Sequence, residues 1–458
     1  MTPADNQLRN RLFRGFGATA FGPIVTAIIQ LGSVPVLLHL WGTAKYGDWL
    51  LLSALPSYLT LSDLGLGDTS ASDMSMRVAA GDREGALQVF QSSWALVTGV
   101  SFVTLLLILA SAWWLPWQLW LQLSTVSNLY AAKVMIALGA YVLVSQQNGI
   151  AESGYRSDGH FAVGTFWMTM LRLAEAVVAT AVALLGGGLL AMAFTYLIIR
   201  CLGSIAYALL LRRLSPWIHY GIRHARLRTM KQMAAPAFGF MAFPIGYALS
   251  LQGFTIMIGA RLGPAAVVAF STLRTLSRLS LQAINVIKHA LWPELSRAFG
   301  AANISLTRRL HRHACQASLL LSCFGGLLLW VWGPSIYRLW VREAVGFNAL
   351  CFHILLFVGV ANSLWETSVV IPLSINTHCR IALAYTGLML FSLAIAWTLL
   401  PSVGTSGAAV ALLAGDGLMA TFVLRNSLSL VNDNPGRFAL GLCELPRLRQ
   451  IVPTTSDA

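Results

Sequence analysis

Five basic residues, Lys133, Arg172, Arg200, Arg274 and Arg278, stand inside stretches otherwise apolar enough to cross a bilayer, and the acids Glu175, Glu366 and Asp416 stand there with them. An arginine near the bilayer centre costs ~2.5–3.5 kcal/mol on insertion scales, so it needs a wet cavity, an anionic ligand or an acidic neighbour. The segment STLRTLSRLSLQAINVIKHALWPELSR, from Ser271, is the richest in such groups. At about 100° per residue, Ser271, Arg274, Arg278, Gln282, Asn285 and His289 fall within an arc of about 80°. At ~1.5 Å per residue, Arg274 lies about 14 Å and Arg278 about 20 Å below the outer start of that span, too deep for easy snorkelling. Arg274, Arg278, Gln282 and Asn285 are therefore expected to line a cavity and bind substrate. The alternative is burial against Glu366 or Asp416. Guanidinium groups bind phosphate through planar paired donors, which makes a diphosphate the matching ligand class.

Arg172 and Glu175 are three residues apart on one helical face, and Arg200 reaches a similar depth on the next span. Two readings stand: a structural cluster in which Glu175 neutralises one arginine, or a second substrate-binding group of Arg172 and Arg200. Glu366, Asp416 and Glu175 are the candidates for coupling transport to protons or sodium. Asp48 and Asp63 fall at span ends and are expected to meet water or cap helices; Lys133 is expected to snorkel to the outer interface. His311 and His313 lack further ligands for a metal and read as interfacial. The six cysteines form no CxxC pair, so neither zinc nor a disulfide framework is expected, and no cofactor is called for.

The elements that hold these residues follow from composition. A chain of 458 residues that is 57% hydrophobic and 10% charged, with mean hydropathy +0.69, cannot place its apolar surface in one soluble core. The fold expected is all-α and polytopic, with twelve spans near 15–40, 47–67, 87–112, 129–150, 161–185, 189–211, 235–260, 265–290, 310–332, 347–371, 381–400 and 405–427. The first follows Arg9, Arg11 and Arg14 but is too long for a signal peptide. With both termini cytoplasmic, 22 Lys and Arg fall inside and 4 outside, a positive-inside pattern that accounts for a net charge of +14 without nucleic acid.

A weak repeat of about 220 residues pairs Pro23 with Pro244, Gly42 with Gly263 and Gly188 with Gly407. An even number of spans per half makes the repeats parallel. The expected division is a lobe over 1–211, a basic connector over 212–234, a second lobe over 235–428 and a tail over 429–458. In the connector, Trp217, Ile218, Ile222 and Met230 mix with Arg223, Arg226, Arg228 and Lys231, which suits either a helix on an anionic leaflet or a solvated linker. The prolines of spans one, two and seven mark bends, and the stripe Gly407, Ala411, Gly415 is expected to serve close helix packing. Asp82 is expected to cap the third span.

The stretch from Tyr46 to Gly85, YGDWLLLSALPSYLTLSDLGLGDTSASDMSMRVAAGDREG, carries one span, a glycine-rich exit at Asp63 to Gly67 and a short polar segment. Together with Trp41-Gly42 and the run from Arg77 to Ala86, it resembles the second span and following cytoplasmic loop of Wzx-type polysaccharide flippases, of the multidrug/oligosaccharidyl-lipid/polysaccharide (MOP) exporter superfamily. The resemblance implies two six-helix lobes around a central cavity in a bacterial inner membrane. It implies flipping of an undecaprenyl-diphosphate-linked oligosaccharide to the outer leaflet for O-antigen, capsule or exopolysaccharide assembly, with membrane lipids and other polysaccharide-assembly membrane proteins as partners. No bond is made or broken in that reading. A multidrug exporter of the same superfamily is the first alternative, although cationic drugs call for an acidic cavity. A polymerase or ligase of the same pathway is the second, although the outer segment from Trp113 to Asn128 has no ionisable side chain.

Overall fold

The computed structural model describes the backbone of residues 3–443 except 64, 301, 302, 343, 376 and 378. Side chains are described for the same residues except 3–20, 62–63, 68, 113, 232–240, 280, 283, 286, 289–290, 292–294, 296–297, 300 and 443. The side chains of Arg9, Arg11, Arg14, Asp63, His289 and Arg297, and the tail from 444, lie outside the described residues. Among those described there is no strand, and the chain is an all-helical multi-pass membrane protein with ten helices long and apolar enough to cross a bilayer. Ten and twelve differ for two local reasons. The first two expected spans run on as one helical stretch, and the eighth is broken in its middle at Arg278. Contacts gather the chain into two units, Gly32–Val268 and Met1–Leu31 with Ala269–Ala458.

The first unit takes α1 (Pro3–Ser57) from Gly32 onward, and this helix is kinked at Gly42, whose φ of 67° and ψ of 177° admit only glycine at low cost. A 3-10 turn, Tyr58–Asp63, and a left-handed Gly65 then lead into α2 (Leu66–Ala79). The expected exit at Asp63 to Gly67 is therefore a break inside the unit. Beyond it the polar segment resumes as helix, because its small and hydroxyl side chains suit close packing on α3 (Arg83–Trp114). Ser70 and Met74 are buried there, with Ser70 Oγ 2.7 Å from Ser93 Oγ. Asp82 caps α3 as expected, accepting from the Gly85 amide at 2.8 Å. The short α4 (Trp117–Trp120) precedes a loop that Asp48 ties down. This buried carboxylate accepts from the amides of Ser124 (3.0 Å) and Thr125 (2.7 Å), so it meets the loop rather than water.

Three helices complete the core: α5 (Asn128–Ser157), α6 (Phe161–Leu184) and α7 (Leu189–Leu214). Tyr155 and Tyr207 stack at 4.5 Å, and the Tyr155 hydroxyl donates to the Tyr207 carbonyl at 2.8 Å. The connector is no surface helix. Its irregular residues 215–226 are pinned to the unit by Asp158, which accepts from Ser215 Oγ (2.6 Å) and Trp217 Nε1 (3.2 Å), and by Gln91, which bonds the backbone of His219 and His224. These bonds satisfy backbone groups that a helix would have used internally. The chain continues in α8 (Leu227–Ala248), a π-helical turn Leu249–Gly253 just beyond Pro244, and α9 (Phe254–Leu262). Gly263 then repeats the conformation of Gly42, with φ 82° and ψ 175°.

The second unit holds most of α10 (Pro264–Ser277), then α11 (Leu279–Gly300), α12 (Ile304–Val341), α13 (Ala349–Ser368), α14 (Val370–Ser374), α15 (Cys379–Val403), α16 (Thr405–Leu430) and α17 (Pro435–Cys443). The glycine stripe of α16 packs on α15 as expected: a Cβ at Gly407 would stand 2.8 Å from that of Leu399. His311 departs from its interfacial reading. It is buried, with Nε2 2.9 Å from Ser368 Oγ and its ring stacked on Phe438 of the amphipathic α17.

Candidate functional site

In the second unit the polar face of the eighth span becomes a corner. Arg274 lies in the last turn of α10, and Arg278 occupies the turn between α10 and α11, where its amide still donates to the Arg274 carbonyl at 3.1 Å. Both arginines, with Ser277, face Asn362 of α13 and Asp416 of α16 across a cavity of about 10 Å³, room for about one water. Asp416 is 3% exposed. Its Oδ1 accepts from Trp365 Nε1 at 2.8 Å and from Asn362 Nδ2 at 3.3 Å, and both arginines are close enough for their charges to act on it. Trp365 is itself fully buried against Tyr385, with ring centroids 4.9 Å apart. Arg274 is buried, its cation 5.9 Å from the Phe270 centroid. Arg278 is partly buried and makes no side-chain hydrogen bond among the described residues.

The break at Arg278 also separates residues that one continuous helix would align. Gln282 and Asn285, on α11, are partly buried and do not line this cavity. Glu366 is engaged elsewhere: Lys288 reaches it and ties α11 to α13 by a partly buried ion pair.

The first unit contains a second group. Arg200 of α7 donates from Nη2 to Glu175 Oε2 of α6 at 2.6 Å and to the Tyr141 hydroxyl of α5 at 2.7 Å; that hydroxyl donates to the same carboxylate oxygen at 3.2 Å. Glu175 and Arg200 are 2% and 4% exposed, so the structural reading of the pair describes what the fold places here. Tyr196, one turn before Arg200, stacks on Trp49 at 6.1 Å and meets Tyr141 edge-on at 5.8 Å. Arg172 stands apart. At about 100° per residue it lies within about 40° of the buried Ala176, Ala179 and Ala183 and about 180° from the exposed Val163, yet it is exposed. The exposed apolar face of α6, with Val163, Val177 and Val178, is on the other side. Arg172 thus reaches open space at mid-helix from the packed side of α6.

The two groups occupy repeat-related positions. Tyr141 lies fourteen residues beyond the helix cap Ser127, and Asn362 fourteen beyond the cap Asn348. Arg200 lies twelve residues beyond Gly188 and Asp416 twelve beyond Gly404, so the partner of Gly188 is Gly404 rather than Gly407. In each unit the fourth-span residue bonds the sixth-span residue, but the charge is inverted, Arg200 in one and Asp416 in the other. Asn362, Trp365 and Tyr141 did not stand out in the sequence because neutral polar and aromatic residues are cheap in a span; the 221-residue interval between Tyr141 and Asn362 is the signal that finds the pair.

Comparison with solved structures places this architecture. The chain has the fold of MOP-superfamily transporters. A multidrug resistance MATE family transporter of that superfamily, in an inward-facing conformation, is similar with TM-score 0.75 at 14% identity, over 88% of this chain and 94% of that one. The Vibrio cholerae MATE transporter VcmN in its bent form gives 0.66 at 17%, over 96% and 100%. A Pyrococcus furiosus MOP superfamily transporter, described as having a binding pocket of reverse polarity that suggests a different function, gives 0.65 at 14%, over 97% and 100%. No family model and no curated protein matches the chain in sequence. Among the described residues no group of three His, Cys, Asp or Glu could hold a metal ion.

Proposed function

We propose that this protein is a bacterial inner-membrane transporter that flips an undecaprenyl-diphosphate-linked oligosaccharide from the cytoplasmic to the outer leaflet, with both termini cytoplasmic. The observation that carries the reading is an excess of arginine at both mid-helix groups. Arg172 and Arg200 face the single carboxylate Glu175, and Arg274 and Arg278 face the single carboxylate Asp416. An anionic headgroup complements such sites, whereas a cationic drug meets net repulsion. Arg274 and Arg278 bind the diphosphate, Arg172 is the accessible cation of the other unit, and Arg200 is held by Glu175. Among the coupling candidates Asp416 alone lines the cavity, while Glu175 and Glu366 are held in ion pairs.

A second reading, multidrug export, is favoured by the fold shared with MATE multidrug transporters. Deleting the gene in its host separates the two. Flipping predicts a diphosphate-linked oligosaccharide that accumulates on the inner leaflet, identified by mass spectrometry of the lipid extract. Unchanged lipid intermediates with raised retention of ethidium would replace the first reading by the second.

A further inference from the structure

The cavity between Arg274, Arg278 and Asp416 holds about one water, and a phosphate group is several times larger. A diphosphate therefore reaches the arginine pair only if something on the cavity wall leaves. Asp416 is the acid on that wall, and the manner in which it is held differs from that of Glu175. Glu175 is bonded directly by a guanidinium at 2.6 Å, whereas among the described residues the donors to Asp416 are two neutral groups, the Trp365 indole and the Asn362 amide, both on the same oxygen. Both carboxylates accept charge-assisted bonds, but only the Glu175 donor is itself a cation, and the attraction between opposite full charges in contact adds to that bond. Asp416 is thus poised beside two arginines by weaker ties.

We propose that Asp416 is a displaceable internal counterion: it offsets one of the two charges of Arg274 and Arg278 in the empty protein, yields that place to the substrate diphosphate, and takes up one proton as it does so. The proposal rests on the diphosphate reading above. The charges balance. Two arginines and one carboxylate leave one positive charge, and a diphosphate esterified at both ends brings two negative charges, so the occupied site is neutral once Asp416 is protonated. The step forms one O–H bond on the Asp416 carboxyl with a proton from solvent and breaks no covalent bond in the substrate. On the elements packed against α16, Tyr385 of α15 lies near enough to act on Arg274, Glu366 of α13 is paired with Lys288 of α11, and α14 contributes no ionisable group. The pair is already neutral, so Asp416 is the group that titrates.

Calorimetric titration of the purified full-length protein with farnesyl-diphosphate-linked glucose, at pH 7 in two buffers of different ionisation enthalpy, tests this. The wild type is expected to take up about one proton per ligand bound. Asp416→Asn is expected to take up none and to bind about tenfold more tightly. Trp365→Phe, which loosens the carboxylate but keeps it, is expected to bind about threefold more tightly with proton uptake retained, and covers the case in which Asp416→Asn fails to fold. Binding by the wild type without proton uptake, together with unchanged affinity in both variants, overturns the counterion role and leaves the diphosphate site standing. Binding abolished by Arg172→Gln but untouched by the Arg274→Gln/Arg278→Gln double variant moves the site to the other unit and overturns both. Absence of binding by the wild type and every variant also overturns both.

Discussion

Each unit holds two arginines and one carboxylate, with Arg200 of one and Asp416 of the other at repeat-related positions, and the two units use them differently. In Gly32–Val268 the carboxylate is locked: Arg200 and Tyr141 both bond Glu175, and the pair is almost wholly buried. In the second unit the carboxylate is held by an indole and an amide, and Arg278 has no side-chain hydrogen bond among the described residues. A buried carboxylate bonded directly by a guanidinium is a structural joint, whereas a pair of cations beside an anion held by neutral donors is, on the proposal above, the place for a better anion. The same inventory thus separates into framework and function according to which donors touch the acid.

The largest effect should come from breaking the joint. Arg200→Met leaves Glu175 buried without its cation and is expected to cost about 3–5 kcal/mol, read as a lowered Tm of the purified protein, with most of the loss recovered in Arg200→Met/Glu175→Leu. Equal stability of the single variant and the wild type would remove the distinction between the units. The repeat glycines come next. Gly42→Ala and Gly263→Ala should each cost about 1–3 kcal/mol, because both backbones lie in a region that essentially only glycine enters, and a large difference between the two would count against equivalent joints. Arg172→Gln, at an exposed position, should change stability by no more than about 0.5 kcal/mol while slowing flipping about tenfold, followed as lipid-linked intermediate retained on the inner leaflet. Normal flipping by this variant would confine substrate contact to Arg274 and Arg278. The smallest effect sharpens the comparison: Tyr141→Phe removes one hydroxyl from the locked triad and should cost about 1 kcal/mol with no change in ligand affinity.

The membrane-spanning character, the Asp82 cap, the packing role of Gly407 and the equivalence of Gly42 with Gly263 were legible in the sequence, because each depends on residue spacing and on the cost of placing a charge or a side chain. What was not legible depends on chain segments far apart. The Asp63 to Gly67 stretch looked like an exit because glycine interrupts a helix wherever it stands; whether the chain then leaves or resumes is set by the surface that α3 and α5 offer to α2. The connector's alternation of apolar and basic residues allowed a surface helix, and the side chains of Gln91 and Asp158 decided against it.

Within the site the division is the same. Residue type and helical period alone placed Arg274 and Arg278 about one turn apart within an apolar stretch and demanded a partner for them, since a guanidinium in hydrocarbon must be answered by something polar. The tertiary structure decided what answers it. Which of three buried acids meets which cation is settled by helix packing, which gives Glu366 to Lys288 and Glu175 to Arg200 and sets Asp416 beside the pair. No periodicity carries that information, because Coulomb attraction depends on distance in space and the partners lie on different helices, 25 residues apart for Glu175 and Arg200 and 78 for Lys288 and Glu366.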